Sequence, residues 1–166
     1  MYKKILVPVD GSPTSNKAVE AAAQLACDSG GTVLLLHVIE ELSYLIGYDP
    51  YGSISADLPG ILRDTGKQVL GESSALAGAR GASVETRLID TVGERLSQVV
   101  ADAATEWGAD LIVVGTHGRR GVGRLLMGSG AEQIIRYAPV PTLVIRAADD
   151  HESERKILEA GTAAPI

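Results

Sequence analysis

The sequence predicts an α/β protein built on an open, doubly wound, mainly parallel five-stranded sheet with helices on both faces. Two observations carry this. Five short apolar runs, four of them nearly continuous, match parallel strands covered on both sides. Amphipathic helical stretches, punctuated by Gly and Pro, fill the intervals between them, so strand and helix alternate and right-handed crossovers follow.

The first strand is read at Ile5–Val9. Ser12-Pro13 then offers an N-cap and a Pro at the first helical position. Ala18, Val19, Ala22, Leu25 and Ala26 form an apolar stripe that Gly30-Gly31 ends. Cys27 lies in this stretch and reads as a small packing residue. As the only cysteine it forms no intramolecular disulfide, which fits a reducing compartment. The second strand, Val33–Val38, contains His37, read as a core residue with its polar atoms satisfied.

A long loop is expected over 43–60, with Tyr44, Tyr48 and Tyr51 packing it. A weaker helix is expected over 61–80, with Leu62, Val69 and Leu76 on one face and Gly66 and Gly71 inside it. The third strand, Val84–Ile89, alternates with Glu85 and Arg87, which suits an edge. Thr91-Val92-Gly93-Glu94 forms a capping box before Leu96, Val99, Val100, Ala103 and Trp107, and Gly108 ends that helix.

The fourth strand is Leu111–Val114. Ser129-Gly130-Ala131-Glu132 is a second capping box, with Ser129 as N-cap. It opens a helix carrying Ala131, Ile134, Ile135 and Ala138 and stopped by Pro139. Thr142–Ile145 is the last strand. Residues 1–147 thus form one domain, and 148–166 a polar tail with one or two helical turns expected near Ser153–Ala160.

Composition bounds the function. Net charge is −6 with a sequence pI of about 5.0, so phosphate backbones and anionic membranes are not expected partners. The start resembles a signal-peptide n-region, but its apolar run stops at Asp10. No stretch approaches the ~18 apolar residues of a membrane span. A cytoplasmic protein is expected.

In such sheets ligands sit beyond the carboxyl ends of the strands, where strand order reverses. Asp10-Gly11-Ser12 follows strand 1. The segment Gly115–Gly130 follows strand 4 and carries six glycines before running into a helix. Glycines allow φ > 0 and close ligand approach, and the helix start supplies N–H groups and a favourable dipole for an anion. No carboxylate lies between Leu111 and Ala131, whereas Arg119, Arg120 and Arg124 do: a basic island in an acidic chain.

Two common phosphate loops fail. Gly123–Gly128 has Walker A spacing, but Ser129 stands where Lys is required. Gly121-Val122-Gly123 lacks the third glycine of a dinucleotide fingerprint. The match is G-x2-G-x9-G-[ST], in Gly115, Gly118, Gly128 and Ser129. With Ile5-Leu6-Val7-Pro8-Val9-Asp10-Gly11-Ser12 and Leu36-His37-Val38, the chain over roughly 2–146 resembles the universal stress protein family, specifically its ATP-binding subgroup.

The resemblance implies a Rossmann-like sheet of strand order 3-2-1-4-5 and ATP, or AMP or ADP, as ligand with or without Mg2+. Gly115, Gly118, Gly128 and Ser129 would hold ribose and phosphates, helped by the backbone of Gly130 and Ala131. Asp10 would lie near the ribose or a phosphate-bound metal. Pro8, Val9 and Val38 would wall the adenine, and His117 and Arg119 would contact phosphates. It also implies a homodimer through the last strand, at residues 140–146, and a role in stress tolerance. No protein partner can be named.

The residues also allow plainer roles, Ser129 as a helix cap and Asp10 as a turn cap. An enzyme remains the alternative, either a slow ATPase or an ATP-dependent transferase, with a flavin-type cofactor protein third. Neither G-x-S-x-G nor metal-spaced His/Cys clusters nor paired carboxylates occur near the loop, so a binding module with at most slow hydrolysis is expected.

Overall fold

Five strands, β1 (Lys4–Pro8), β2 (Thr32–Ile39), β3 (Ser83–Asp90), β4 (Leu111–Gly115) and β5 (Thr142–Ile145), pair in the order β3-β2-β1-β4-β5. Every pairing is parallel, with Ile5 opposite both Val33 and Leu111, Val33 opposite Val84, and Ile112 opposite Thr142. The computed structural model describes residues 1–39, 58–91, 94–116 and 128–146. The expected order 3-2-1-4-5 is what these residues form, with β3 at one edge.

Strand alternation sends successive side chains to opposite faces. Ile5, Val7, Val33, Leu35 and Val113 pack with Ala18, Val19, Ala22 and Ala26 of α1 (Pro13–Ser29) and with Val69 and Leu70 of α2 (Leu58–Gly78). Leu6, Leu34, Leu36 and Ile112 pack with Val100, Ala103 and Ala104 of α3 (Leu96–Trp107) and with Ala131 and Ile134 of α4 (Ser129–Tyr137). Among the described residues, two helices therefore cover each face. Short Ala side chains let α1 lie close on the sheet, which compensates for the absence of Phe.

Helix α1 behaves as its sequence requires. The Ser12 hydroxyl accepts from Ser15 N–H, and Pro13 starts the helix. Gly30 closes it in the left-handed region at φ 63°, with Gly30 N–H to Cys27 O and Gly31 N–H to Ala26 O, a Schellman motif.

Other expectations are corrected. Helix α3 starts at Leu96 with Arg95 as N-cap and no side-chain cap, so Thr91 does not cap it. A cap contributes only about 1 kcal/mol, and the start falls where Leu96, Val99 and Val100 reach the sheet. Helix α2 begins at Leu58, earlier than expected, taking the last residues of the presumed 43–60 loop. Cys27 is exposed, its thiol donating to Arg80 O at 3.0 Å. The rest of that loop and the tail from 147 lie outside the described residues.

At the amino ends of the strands, the Asp110 carboxylate accepts from Lys3 N–H (2.8 Å) and Lys4 N–H (3.1 Å). Lys4 Nζ donates to Trp107 O and lies 5.1 Å from the indole centroid. These bonds fix the start of β1 beside β4 and leave the carboxyl ends to the candidate site. Among the described residues, no helix is long and apolar enough to cross a membrane.

Candidate functional site

Strand order reverses between β1 and β4: β1 crosses to β2 through α1 on one face, and β4 crosses to β5 through α4 on the other. The connections leaving their carboxyl ends therefore run to opposite faces, and this switch point is where sheets of this kind have their ligand crevice. Pro8, Val9 and Asp10 leave β1 there, Val38 lies near the end of β2, and Gly115 ends β4.

The turn after β1 is held by its own side chains. Asp10 Oδ1 accepts from Ser12 N–H at 2.9 Å, and Asp10 N–H donates to Ser15 Oγ at 3.3 Å. Gly11 sits at φ 78°, a conformation that favours glycine between these partners. Asp10 thus does cap the turn.

The glycine segment is closed at its base. Thr116 N–H donates to Ile145 O at 2.9 Å, and Gly128 N–H donates to Thr116 O at 2.7 Å. The last bond brings the two ends of the 117–127 segment together beside β4. His117, Gly118 and Arg119, like Arg120, Gly121, Gly123 and Arg124, lie outside the described residues.

Helix α4 starts one residue earlier than expected. Gly128, not Ser129, is its N-cap, with Gly128 O accepting from Glu132 N–H at 3.0 Å. Ser129, exposed, occupies the first helical position, and no side chain caps the helix. The N–H groups of a first helical turn lack intrahelical acceptors; here they belong to Ser129, Gly130 and Ala131.

The glycines have other reasons than those expected. Gly128 adopts φ −58° and ψ 143°, open to any residue. A Cβ at Gly115 would lie 2.9 Å from Thr14 O and from Thr14 Cγ2, so this glycine lets the first turn of α1 close onto the end of β4. A Cβ at Gly130 would lie 3.3 Å from Leu96 Cδ2, where α4 meets α3. Thr14 is a site neighbour that sequence reasoning missed, since the contact joins residues a hundred positions apart.

Among the described residues, no group of three or more His, Cys, Asp or Glu side chains could hold a metal. Of the residues expected at the site Asp10 carries a carboxylate, and a divalent ion there would take most of its ligands from phosphate and water, as Mg2+ commonly does.

The model of the universal stress protein family matches residues 1–146. The chain belongs to this family. A universal stress protein of Methanocaldococcus jannaschii is 32% identical over 146 residues, covering 88% of this chain and 83% of the relative. The structure of a universal stress protein family member from Burkholderia pseudomallei superposes with a TM-score of 0.70 at 34% identity, over 88% of this chain and 97% of that one. The structure of a universal stress protein from Archaeoglobus fulgidus in complex with dAMP does so with a TM-score of 0.63 at 26% identity, over 87% and 98%. The family match ends at Arg146, one residue beyond β5, where the described residues also end.

Proposed function

We propose that this universal stress protein binds an adenine nucleotide, ATP or else AMP or ADP, in the crevice between β1 and β4, as a nucleotide-responsive module of stress tolerance in the cytoplasm. The observation that carries the reading is the Gly128 N–H to Thr116 O bond, which holds Gly128 and Ser129 of the motif beside the end of β4 that carries Gly115. The dAMP complex of the Archaeoglobus fulgidus relative supports an adenine nucleotide as the ligand class.

In this reading Pro8, Val9 and Val38 wall the base. Gly115, Gly118, Gly128 and Ser129 take ribose and phosphates, and His117 and Arg119 add phosphate contacts. The positive end of the α4 dipole and the N–H groups of Gly130 and Ala131 favour the phosphate charge. Asp10 faces the ribose or joins phosphate and water around a Mg2+ ion.

Turnover is expected to be slow. Fast phosphoryl transfer needs a placed metal, a γ-phosphate held from several sides and a residue that aligns water. Binding ground and transition states equally does not accelerate chemistry. Mass spectrometry of small molecules released from freshly purified protein should find an adenine nucleotide; a flavin instead would overturn the reading. With excess Mg-ATP, phosphate release should stay far below the ~10 s⁻¹ enzyme median. Turnover near that median, lost in Asp10→Ala, would favour the ATPase alternative.

The last strand is proposed to pair with its counterpart in a homodimer through residues 140–146. Among the described residues β5 is an edge strand, the kind of edge that pairs with another chain, and Leu143 on it is 38% exposed. Sedimentation should give a dimer at micromolar concentration, reduced by Leu143→Lys. A stable monomer in the unmodified protein would count against it.

A further inference from the structure

We propose that His37 is a positioning residue for the nucleotide crevice, its ring clamping the backbone of Val9 where β1 ends. This rests on the nucleotide reading above. The ladder between β1 and β2 runs to Pro8 opposite Leu36, and Val9 N–H adds one more bond to Leu36 O at 2.8 Å. Beyond that point a side chain takes over: His37 Nδ1 lies 2.7 Å from Val9 O. A carbonyl only accepts, so Nδ1 carries the proton and donates.

The ring is fixed from the other side by α2. A Cβ at Gly66 would come within 2.9 Å of His37 Cδ2, 3.4 Å of Nε2 and 2.7 Å of Leu88 Cδ1. Gly66 is buried in the middle of a helix, where glycine costs about 0.5–1 kcal/mol relative to Ala. Its position over the ring accounts for that cost, because any side chain would displace the clamp. Val9 is itself 4% exposed, and Asp10, the next residue, holds the turn to Ser12. His37 thus sets the direction in which the chain leaves β1, and with it the placement of Val9 and Asp10 at the crevice.

Leu and Asn are nearly the same shape, and each removes the imidazole packing. Only Asn keeps a donor at the bond position of Nδ1. If His37 merely packs, His37→Leu should equal or surpass His37→Asn. The clamp predicts the reverse order. In the full chain, calorimetric ATP affinity should fall about 3- to 10-fold in His37→Leu, the worth of one neutral hydrogen bond, and be recovered to within about twofold in His37→Asn.

A second readout needs no nucleotide: amide exchange at Asp10 and Gly11 should quicken in the Leu variant and return toward the unmodified rate in the Asn variant. Unmodified protein that binds ATP, with Leu and Asn variants of equal affinity or Leu the tighter, would overturn the positioning role alone. Slowed or unchanged exchange in the Leu variant would overturn the clamp. Unmodified protein that binds no adenine nucleotide would remove the nucleotide reading and the proposal with it.

Discussion

Gly115→Val is expected to lower both stability and nucleotide affinity, for two separable reasons. A side chain there meets the Thr14 backbone, with a Cβ only 2.9 Å from Thr14 O. Backbone cannot swing aside as the end of a flexible side chain can. Overpacking of this kind costs about 1–3 kcal/mol, a Tm loss of roughly 2–12 °C for a chain of this size. The displacement also separates α1 from β4 at the mouth of the crevice, so ATP binding should weaken well below the melting range. Thermal unfolding and calorimetry on the same preparation check the two effects. An unchanged Tm would mean that the Thr14 contact relaxes freely, and unchanged affinity in the folded variant would place the ligand elsewhere.

The second large effect lies far from the site. Gly31→Ala would set a Cβ 2.6 Å from Lys3 O and 3.0 Å from Lys3 C and Cα. That carbonyl also accepts from Thr32 N–H at 2.8 Å, and Gly31 N–H closes the Schellman motif on Ala26 O. Relief would require moving the start of β1 away from β2, at about 1–3 kcal/mol or more. Gly71→Ala is the control: it lies in α2 with nothing within 4 Å of its Cβ, and should stabilise by about 0.5–1 kcal/mol. Urea unfolding should move the two midpoints in opposite directions. A Gly31→Ala protein as stable as the parent would show that the strand start has slack.

These glycines show what could be read in the sequence. Fold class and strand order followed from the parallel-strand signature of Ile5–Val9 and Leu111–Val114, from helical stripes such as Ala18–Ala26, and from a family resemblance. Gly30-Gly31 and Gly108 marked helix ends correctly because a left-handed C-cap is a local requirement. Helix starts were less legible. Thr91 and Ser129 head good capping boxes, yet Arg95 and Gly128 hold the N-cap positions. A cap is a weak local preference, and packing of Leu96 and Ala131 against the sheet outweighs it.

The candidate site divides in the same way. The motif residues Gly115 and Gly128 were found from spacing, and Gly128 is brought to Thr116 by a hydrogen bond. The reason first given for their being glycine, freedom of φ, does not apply at Gly128, and at Gly115 the tight contact is with Thr14. Thr14 and Gly66 carried no pattern, and His37 stood in the Leu36-His37-Val38 match but was read only as a satisfied core residue. Their roles come from contacts between distant parts of the chain, which neither periodicity nor motif spacing encodes.

The central claim is that an adenine nucleotide occupies the crevice between β1 and β4. Titration of isotope-labelled protein with ATP, followed by backbone amide shifts, tests it most directly. The account predicts saturable shifts concentrated at Val9–Ser12, Val38, Gly115–Thr116 and Gly128–Ala131, with β3 and the amino ends of the strands unmoved. Saturable shifts centred instead on the outer faces of α3 and α4, around Arg95, Arg136 and Tyr137, or no shifts at millimolar ATP, would contradict it.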